Sequence, residues 1–124
     1  MANRSITEQN LGSIKEDSKE QLKVEFSQYG NTFQDTNAAT TPPSGYVIVA
    51  ISFLADITFT AMSAENNSGS KSFGLTGGET GEGSGGVVID SSNIFPKGLT
   101  IYGRWTSVTP TADSDGGIIC YFGK

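Results

Sequence analysis

The chain has 124 residues, a formal net charge of -5, no histidine and a single cysteine. This length accommodates one domain, or one small domain with an arm, and excludes two large domains. The acidic balance argues against a nucleic-acid or anionic-membrane surface, since both need clustered lysine and arginine. The chain also lacks a long apolar run and the apolar core of a signal peptide, so we expect a soluble protein that is not exported by that route.

Histidine is the side chain most used for acid–base catalysis and transition-metal ligation, and its absence disfavours many enzyme mechanisms. We therefore expect no enzymatic activity, no cofactor and no metal, and a protein that binds or builds. Cys120 has no partner for an internal disulfide. Its apolar neighbours predict a buried core thiol instead of a nucleophile.

The N-terminal stretch is the most charged part of the chain, with nine charged residues in 1–25 and twelve in the remaining ninety-nine. Ser13 and Glu16 have the spacing of a capping box, which predicts a helix over 13–21. Alternating apolar residues over 22–26 favour an edge strand. The alternative is an arm that becomes ordered only against a neighbouring subunit, because so polar a segment buries little surface alone. The candidate interface residues of this arm are Ile14, Leu22, Val24 and Phe26.

A polar, threonine-rich stretch over 31–44 ends in two prolines and a serine, and it predicts an extended connector or a rim loop. We therefore divide the chain into an arm with its linker, 1–44, and a β domain, 45–124. The run YVIVAISFLA at 46–55 is apolar on both parities and predicts a strand buried on both faces. Residues 57–62 alternate, which predicts a strand at a surface. The break between these two strands is compatible with a bulge, a corner or a hairpin.

Residues 63–86 are rich in glycine and predict a solvated loop. A phosphate-binding loop is disfavoured because the GK[ST] ending and a following helix are both missing. The alternative is a calcium site, although the spacing of an EF-hand loop is absent. Its ligands would be Glu65, Glu79, Glu82 and Asp90.

Residues 87–90 predict a short strand, and the step Pro96-Lys97-Gly98 predicts a tight turn. Either Pro96 occupies the second position of a type II turn, or the turn is shifted so that Gly98 adopts the positive φ. A new strand begins after this turn.

The strand over 99–108 alternates between an inward and an outward set of side chains. The inward set is Leu99, Ile101, Gly103, Trp105 and Ser107. Gly103 makes room for an aromatic ring or for another backbone. Tyr102 and Arg104 lie in the outward set, which ends with Val108, and they are candidate recognition residues because tyrosine and arginine are favoured at interfaces. The alternative for Arg104 is a side chain that lies flat over the sheet.

The final strand is predicted over 118–122, after a polar turn at 111–117. Asp113 and Asp115 in this turn resemble part of a metal-binding loop. A hairpin turn explains the same residues without an ion, and we favour it.

Short strands, glycine-rich turns and the lack of a core helix after residue 30 predict an all-β domain. We expect a small β-sandwich or jelly-roll-like fold with an N-terminal extended or partly helical arm. The apolar content of the long strands exceeds what so small a domain buries alone, which predicts a homotrimer. An arm from a neighbouring subunit is one way to cover a sheet edge.

The passage VIDSSNIFPKGLTIYGRWTSVTPTADSDGGIICYFGK, with YVIVAISFLADITFTAM upstream, resembles small virion-associated proteins of tailed bacteriophages, notably those of marine bacteria and cyanobacteria. The resemblance covers residues 45–124, and IYGRW at 101–105 is its most specific part. It implies a virion component and supplies no catalytic residues to transfer. The N-terminal arm lies outside the match.

The resemblance favours a capsid decoration or cement protein, assembled in the host cytoplasm and located in the virion, which binds the phage head through its N-terminal arm. The alternative is a tail or fibre-associated module that binds a host-surface glycan or another tail protein. A third possibility is a glycan hydrolase, which would need two carboxylates at a defined separation. Its candidate carboxylates are Asp56, Asp90, Asp113 and Asp115.

Overall fold

The computed structural model describes residues 29–65, 72–75, 78–111 and 116–124, and these contain no helix. Their five strands form one antiparallel sheet with the order β1-β5-β2-β4-β3. The strands are β1 (Asn31–Gln34), β2 (Val47–Phe53), β3 (Phe59–Ala64), β4 (Thr100–Pro110) and β5 (Ile118–Gly123). The all-β class predicted from the sequence is confirmed.

β2 lies at the centre of the sheet, between β5 and β4. Ile48 and Ile51 are fully buried, and Ala50 is also buried. The prediction of a strand buried on both faces is therefore confirmed. Because β4 lies between β2 and β3, the break after β2 is a corner and not a hairpin. At this corner the carboxylate of Asp56 accepts a hydrogen bond of 2.8 Å from the backbone N–H of Lys97.

The sheet is strongly curled. Ile57 forms a bridge with Phe95, and Phe59, two residues later, pairs with Pro110. The two ends of the segment 95–110 therefore lie close together, although an extended chain over that interval would span about 50 Å. Register shifts in both pairings of β4 mark the bulges that bend it.

The segment before β2 contributes to the sheet, which corrects the prediction of a connector over 31–44. Its first part is β1, which pairs with β5. Thr40 exchanges two backbone hydrogen bonds with Val108, of 2.8 and 3.1 Å. Only its end behaves as a turn, where the backbone N–H of Tyr46 donates to the carbonyl of Pro43. This strand cannot be recognised from the local sequence, because it has no apolar alternation and is stabilised by strands that are distant in the chain.

Trp105 is the largest fully buried side chain. Its indole N–H donates a hydrogen bond of 2.7 Å to the carbonyl of Phe73, and its ring meets the Phe73 ring edge-to-face at 5.6 Å. A Cβ on Gly103 would lie 2.6 Å from the Trp105 ring. The prediction that Gly103 makes room for an aromatic ring is confirmed.

An aromatic cluster fills the rest of the core. Phe95 stacks on Phe53 with ring centroids 5.1 Å apart, and Phe59 meets both rings edge-to-face. In the described residues, loops form the layer that covers the inner face of the sheet. These loops carry Phe73, Leu75, Ile89 and Phe95, which pack against the core.

Three local predictions need correction. Residues 87–90 form no strand, and Val87 is 82% exposed. Leu99, predicted to face the core, is exposed, whereas Val108, predicted to face outward, is fully buried. A register shift in the β3–β4 pairing changes the parity of β4 before Val108, and a shift of one residue exchanges the two faces of a strand.

The turn at Pro96 follows the shifted alternative. Gly98 has a φ of 90°, and the backbone N–H of Leu99 donates to the carbonyl of Pro96. Gly98 therefore occupies the position of the turn that requires a positive φ.

Replacing Gly103 with alanine is expected to destabilise the fold, because the new methyl group overlaps the Trp105 ring. We expect a loss of about 1–3 kcal/mol in the free energy of unfolding, measured by urea denaturation. Tyr102→Phe on the same strand is the control, since its ring is exposed, and it should leave the midpoint unchanged. A Gly103→Ala variant as stable as the parent would contradict the packing described here.

Candidate protein interface on the outer face of the sheet

Two rows of side chains cross the face of the sheet that lies opposite the core, here called the outer face. Residues directly opposite each other on antiparallel strands point to the same side. The pairing registers of β1, β5, β2 and β4 therefore align these rows. The first row is Phe33, Ile119, Ser52 and Thr100, and the second is Asn31, Tyr121, Ala50 and Tyr102.

The outer face exposes apolar and aromatic side chains. Phe33 is 52% exposed and Tyr102 is 67% exposed, while Ile119 and Tyr121 between them are half-buried. Leu54, which directly follows β2, is 41% exposed at the end of the sheet. Exposed apolar side chains that share one face of a sheet are typical of protein interaction surfaces.

The centre of the outer face is polar, and its hydroxyl groups are hydrogen-bonded to each other. Ser52 and Thr100 lie directly opposite each other, and their hydroxyl oxygens are 3.0 Å apart. Each hydroxyl group therefore has a partner within the sheet, and the pair leaves the neighbouring rings as the exposed groups of this face.

Arg104 lies beyond Tyr102 on the same strand and forms an ion pair with Glu65. Its guanidinium donates two hydrogen bonds to the Glu65 carboxylate, one of them 3.1 Å long. The backbone N–H of Arg104 donates to the Ser72 hydroxyl at 3.0 Å. This hydrogen bonding lowers the pKa of Glu65 and raises the pKa of Arg104. Arg104 is thus a paired charge at the rim of the outer face.

A second pair of charged residues lies at the opposite end. Asp56 and Lys97 line a shallow, open depression together with Leu54, Ala55 and Gly116. Charged groups therefore lie near exposed apolar residues of the outer face, Arg104 near Tyr102 and Asp56 near Leu54, as they do at many protein interfaces.

Three of the four acidic side chains proposed as calcium ligands make separate structural contacts. Glu65 binds Arg104, and the buried Glu79 accepts a hydrogen bond of 2.9 Å from the backbone N–H of Ala64. Asp90 accepts a hydrogen bond of 2.8 Å from the backbone N–H of Ser92, and its hydrogen bonds with Ser92 lower its pKa. Among the described residues, no group of three or more potential ligands could hold a metal ion.

Cys120 is fully buried, and burial raises the pKa of its thiol to about 12. A thiol with so high a pKa is protonated at neutral pH and is not a nucleophile. The prediction of a core cysteine is confirmed.

Several predicted residues lie outside the described parts of the chain. These are the arm candidates Ile14, Leu22, Val24 and Phe26, and the loop carboxylates Asp113 and Asp115. Of the predicted interface residues, Tyr102 and Arg104 are present on the outer side of β4.

The sequence analysis missed the partners of Tyr102 on this face. The sequence analysis predicts one apolar strand over 118–122 without dividing its two faces, although Ile119 and Tyr121 alternate with the buried Ile118 and Cys120. Because side chains alternate between the two faces of a strand, Ile119 and Tyr121 could have been assigned to the face opposite Ile118 and Cys120. Phe33 lay in the predicted connector, and no pattern in that stretch marks it as part of a sheet.

Comparisons with known proteins assign no family to the chain. No family model matches it, and neither the curated proteins nor the solved structures contain a match. Within the described ranges, no helix is long and apolar enough to cross a membrane.

The Arg104–Glu65 pair is expected to contribute to stability in a pH-dependent way. The folded-state pKa of Glu65 is below its ordinary value of 4.5, so the contribution is present above that value and is lost as the pH falls through the folded-state pKa. At neutral pH, the free energy of unfolding of the wild type should exceed that of Glu65→Gln by less than about 1 kcal/mol. This difference should vanish in acid and shrink in high salt.

Urea denaturation at several pH values measures this difference. In an Arg104→Gln background, Glu65→Gln should show a smaller difference at neutral pH, because the partner charge is gone. A constant difference across the pH range would contradict the assignment.

Proposed function

We propose that the chain is a non-enzymatic structural protein of a tailed-phage virion, most closely a capsid decoration or cement protein. The observation that carries the proposal is the outer face, on which Phe33 and Tyr102 expose their rings. The resemblance of residues 45–124 to small virion-associated proteins supports the phage context. The N-terminal arm would supply a second attachment to the head surface.

The outer face suits a protein partner. Aromatic residues and arginine are enriched at protein interfaces, and charged groups occur mostly at the rim. Tyr102 and Phe33 supply the aromatic groups, and Arg104 with Glu65 supplies a charged rim. Because the face is made of paired strands, its side chains are held in position before binding, which lowers the entropic cost of association.

The contacts of the acidic residues favour binding over glycan hydrolysis. A hydrolase needs a general acid whose pKa is raised and a second carboxylate at a defined distance. Asp90 instead has a lowered pKa within its own turn, and Asp56 accepts a hydrogen bond from the Lys97 backbone. These contacts suit structural carboxylates.

The tail or fibre-associated module is the second candidate, because exposed aromatic rings also suit a glycan or another tail protein. The two candidates differ in copy number. A decoration protein is present in hundreds of copies per virion, whereas a tail component is present in tens at most.

Quantitative mass spectrometry of purified virions measures the copy number, and cryo-electron microscopy locates the copies. We expect hundreds of copies on the head. Phe33→Ser and Tyr102→Ser should reduce rebinding to heads that lack the protein, and Val87→Ser, which changes an exposed apolar residue elsewhere, is the matched control. Removing residues 1–30, which include all four arm candidates, should abolish attachment to the head while leaving the β domain folded. Absence from the virion, or a tail location, would contradict the decoration role.

A homotrimer is expected to form in solution, because an exposed apolar face on so small a domain favours self-association. Light scattering measures the mass directly. A stable monomer at micromolar concentration would contradict this expectation without affecting the location in the virion.

A further inference from the structure

The outer edge of β3 is covered by another part of the same chain. The carbonyl of Met62 accepts a hydrogen bond of 2.8 Å from the backbone N–H of Leu75. The backbone N–H of Ala64 donates a hydrogen bond of 2.9 Å to the carboxylate of Glu79. These groups take the place of the hydrogen-bonding groups of a further strand. The edge cover, as we call it, consists of residues 72–75 and 78–81.

The two halves of the edge cover are bound to each other. Phe73 forms a bridge with Thr80, and the backbone N–H of Gly74 donates a hydrogen bond of 2.8 Å to the carbonyl of Glu79. A Cβ on Gly74 would overlap both the Glu79 carboxylate and the carbonyl of Met62. Glycine at position 74 therefore lets the two halves approach closely and reach the β3 edge together.

The first half of the edge cover also has anchors that do not involve Glu79. The indole N–H of Trp105 donates to the carbonyl of Phe73, and the backbone N–H of Arg104 donates to the Ser72 hydroxyl. These contacts attach the cover to β4 and the core. We therefore expect the domain to remain folded when the contact of Glu79 with the β3 edge is lost.

The sequence of β3 supplies little protection of its own. Charged side chains and proline commonly keep an edge strand from pairing with another molecule. β3 has the sequence FTAMSA and contains neither. Met62 and Ala64 are apolar and buried, so a strand in place of the edge cover would lie beside apolar side chains.

We propose that the outer edge of β3 is a pairing surface for the same edge of a second copy of this chain, and that Glu79 keeps this surface closed. Two copies of β3 can align antiparallel with their Met62 residues opposite each other. Each strand then offers the donors and acceptors that the other needs. Because both copies use the same surface, the contact is isologous and closes with two copies.

Glu79 closes the edge because its carboxylate is buried against a donor of the strand. The residue is 2% exposed, and a buried carboxylate is costly unless it is hydrogen-bonded. The N–H of Ala64 that satisfies it is one that strand pairing would use. Glu79 is thus a positioning residue, which acts through the edge cover and not by touching the second copy. The proposal does not rest on the proposed function, since it concerns an edge of the fold and not the outer face.

Light scattering on the full chain tests the proposal, with the parent protein at the same concentration as the reference. Glu79→Ala removes the acceptor of the Ala64 N–H and should raise the mass about two-fold, as an isologous pair requires. Glu79→Gln keeps an acceptor oxygen and should retain the parent mass. Glu82→Ala is the matched control, because it removes an exposed carboxylate that lies outside the edge cover.

Gly74→Ala opens the same edge by an independent route, because its methyl group overlaps the Glu79 carboxylate. It should raise the mass in the same way as Glu79→Ala. Hydrogen exchange with mass spectrometry distinguishes edge pairing from general aggregation. The amides of residues 59–65 should be protected in the paired species and should exchange faster on dilution. The near-UV circular dichroism of Trp105 shows whether each variant keeps its core.

A folded Glu79→Ala variant that keeps the parent mass would overturn the proposal. Species that grow without limit, or that leave residues 59–65 unprotected, would also overturn it, because they would show association through another surface. Association of Glu79→Gln to the same extent as Glu79→Ala would overturn the role of Glu79. If Glu79→Ala does not fold, Gly74→Ala decides by the same measurements.

Discussion

Trp105 holds together three segments that are distant in the chain. Its indole N–H reaches the carbonyl of Phe73, its ring covers Gly103, and Phe73 stacks on the Phe95 ring of the core. A buried indole N–H without an acceptor would cost about 1–3 kcal/mol, so the Phe73 loop must lie where it does. The loop layer over the inner face therefore depends on this one side chain.

The outer face follows from the same constraint. Gly103 and Trp105 point inward. Because side chains alternate along a strand, Tyr102 before them and Arg104 between them must point outward. The IYGRW motif therefore has two roles in one strand, with alternate residues committed to the core and to the surface. This division lets the outward residues vary without disturbing the core, provided that the inward residues are kept.

The local sequence pattern predicted those elements that are determined by residues close together in the chain. The central strand and the last strand were recognised from their apolar runs, and the space above Gly103 from its bulky neighbours. β1 and the bridge at Thr40 were missed because they depend on partners about 70 to 90 residues away in the chain. The same reason applies to the candidate interface: Tyr102 was predicted from its strand, but its neighbours on the face require the strand order.

The outer edge of β3 is covered by a loop, because the carbonyl of Met62 accepts a hydrogen bond of 2.8 Å from the backbone N–H of Leu75. A buried carboxylate is costly unless it is hydrogen-bonded, and Glu79 is placed where it accepts from the backbone of Ala64. This contact occupies a donor that would otherwise bind a strand from another molecule. Addition of a further strand at β3 is thereby disfavoured.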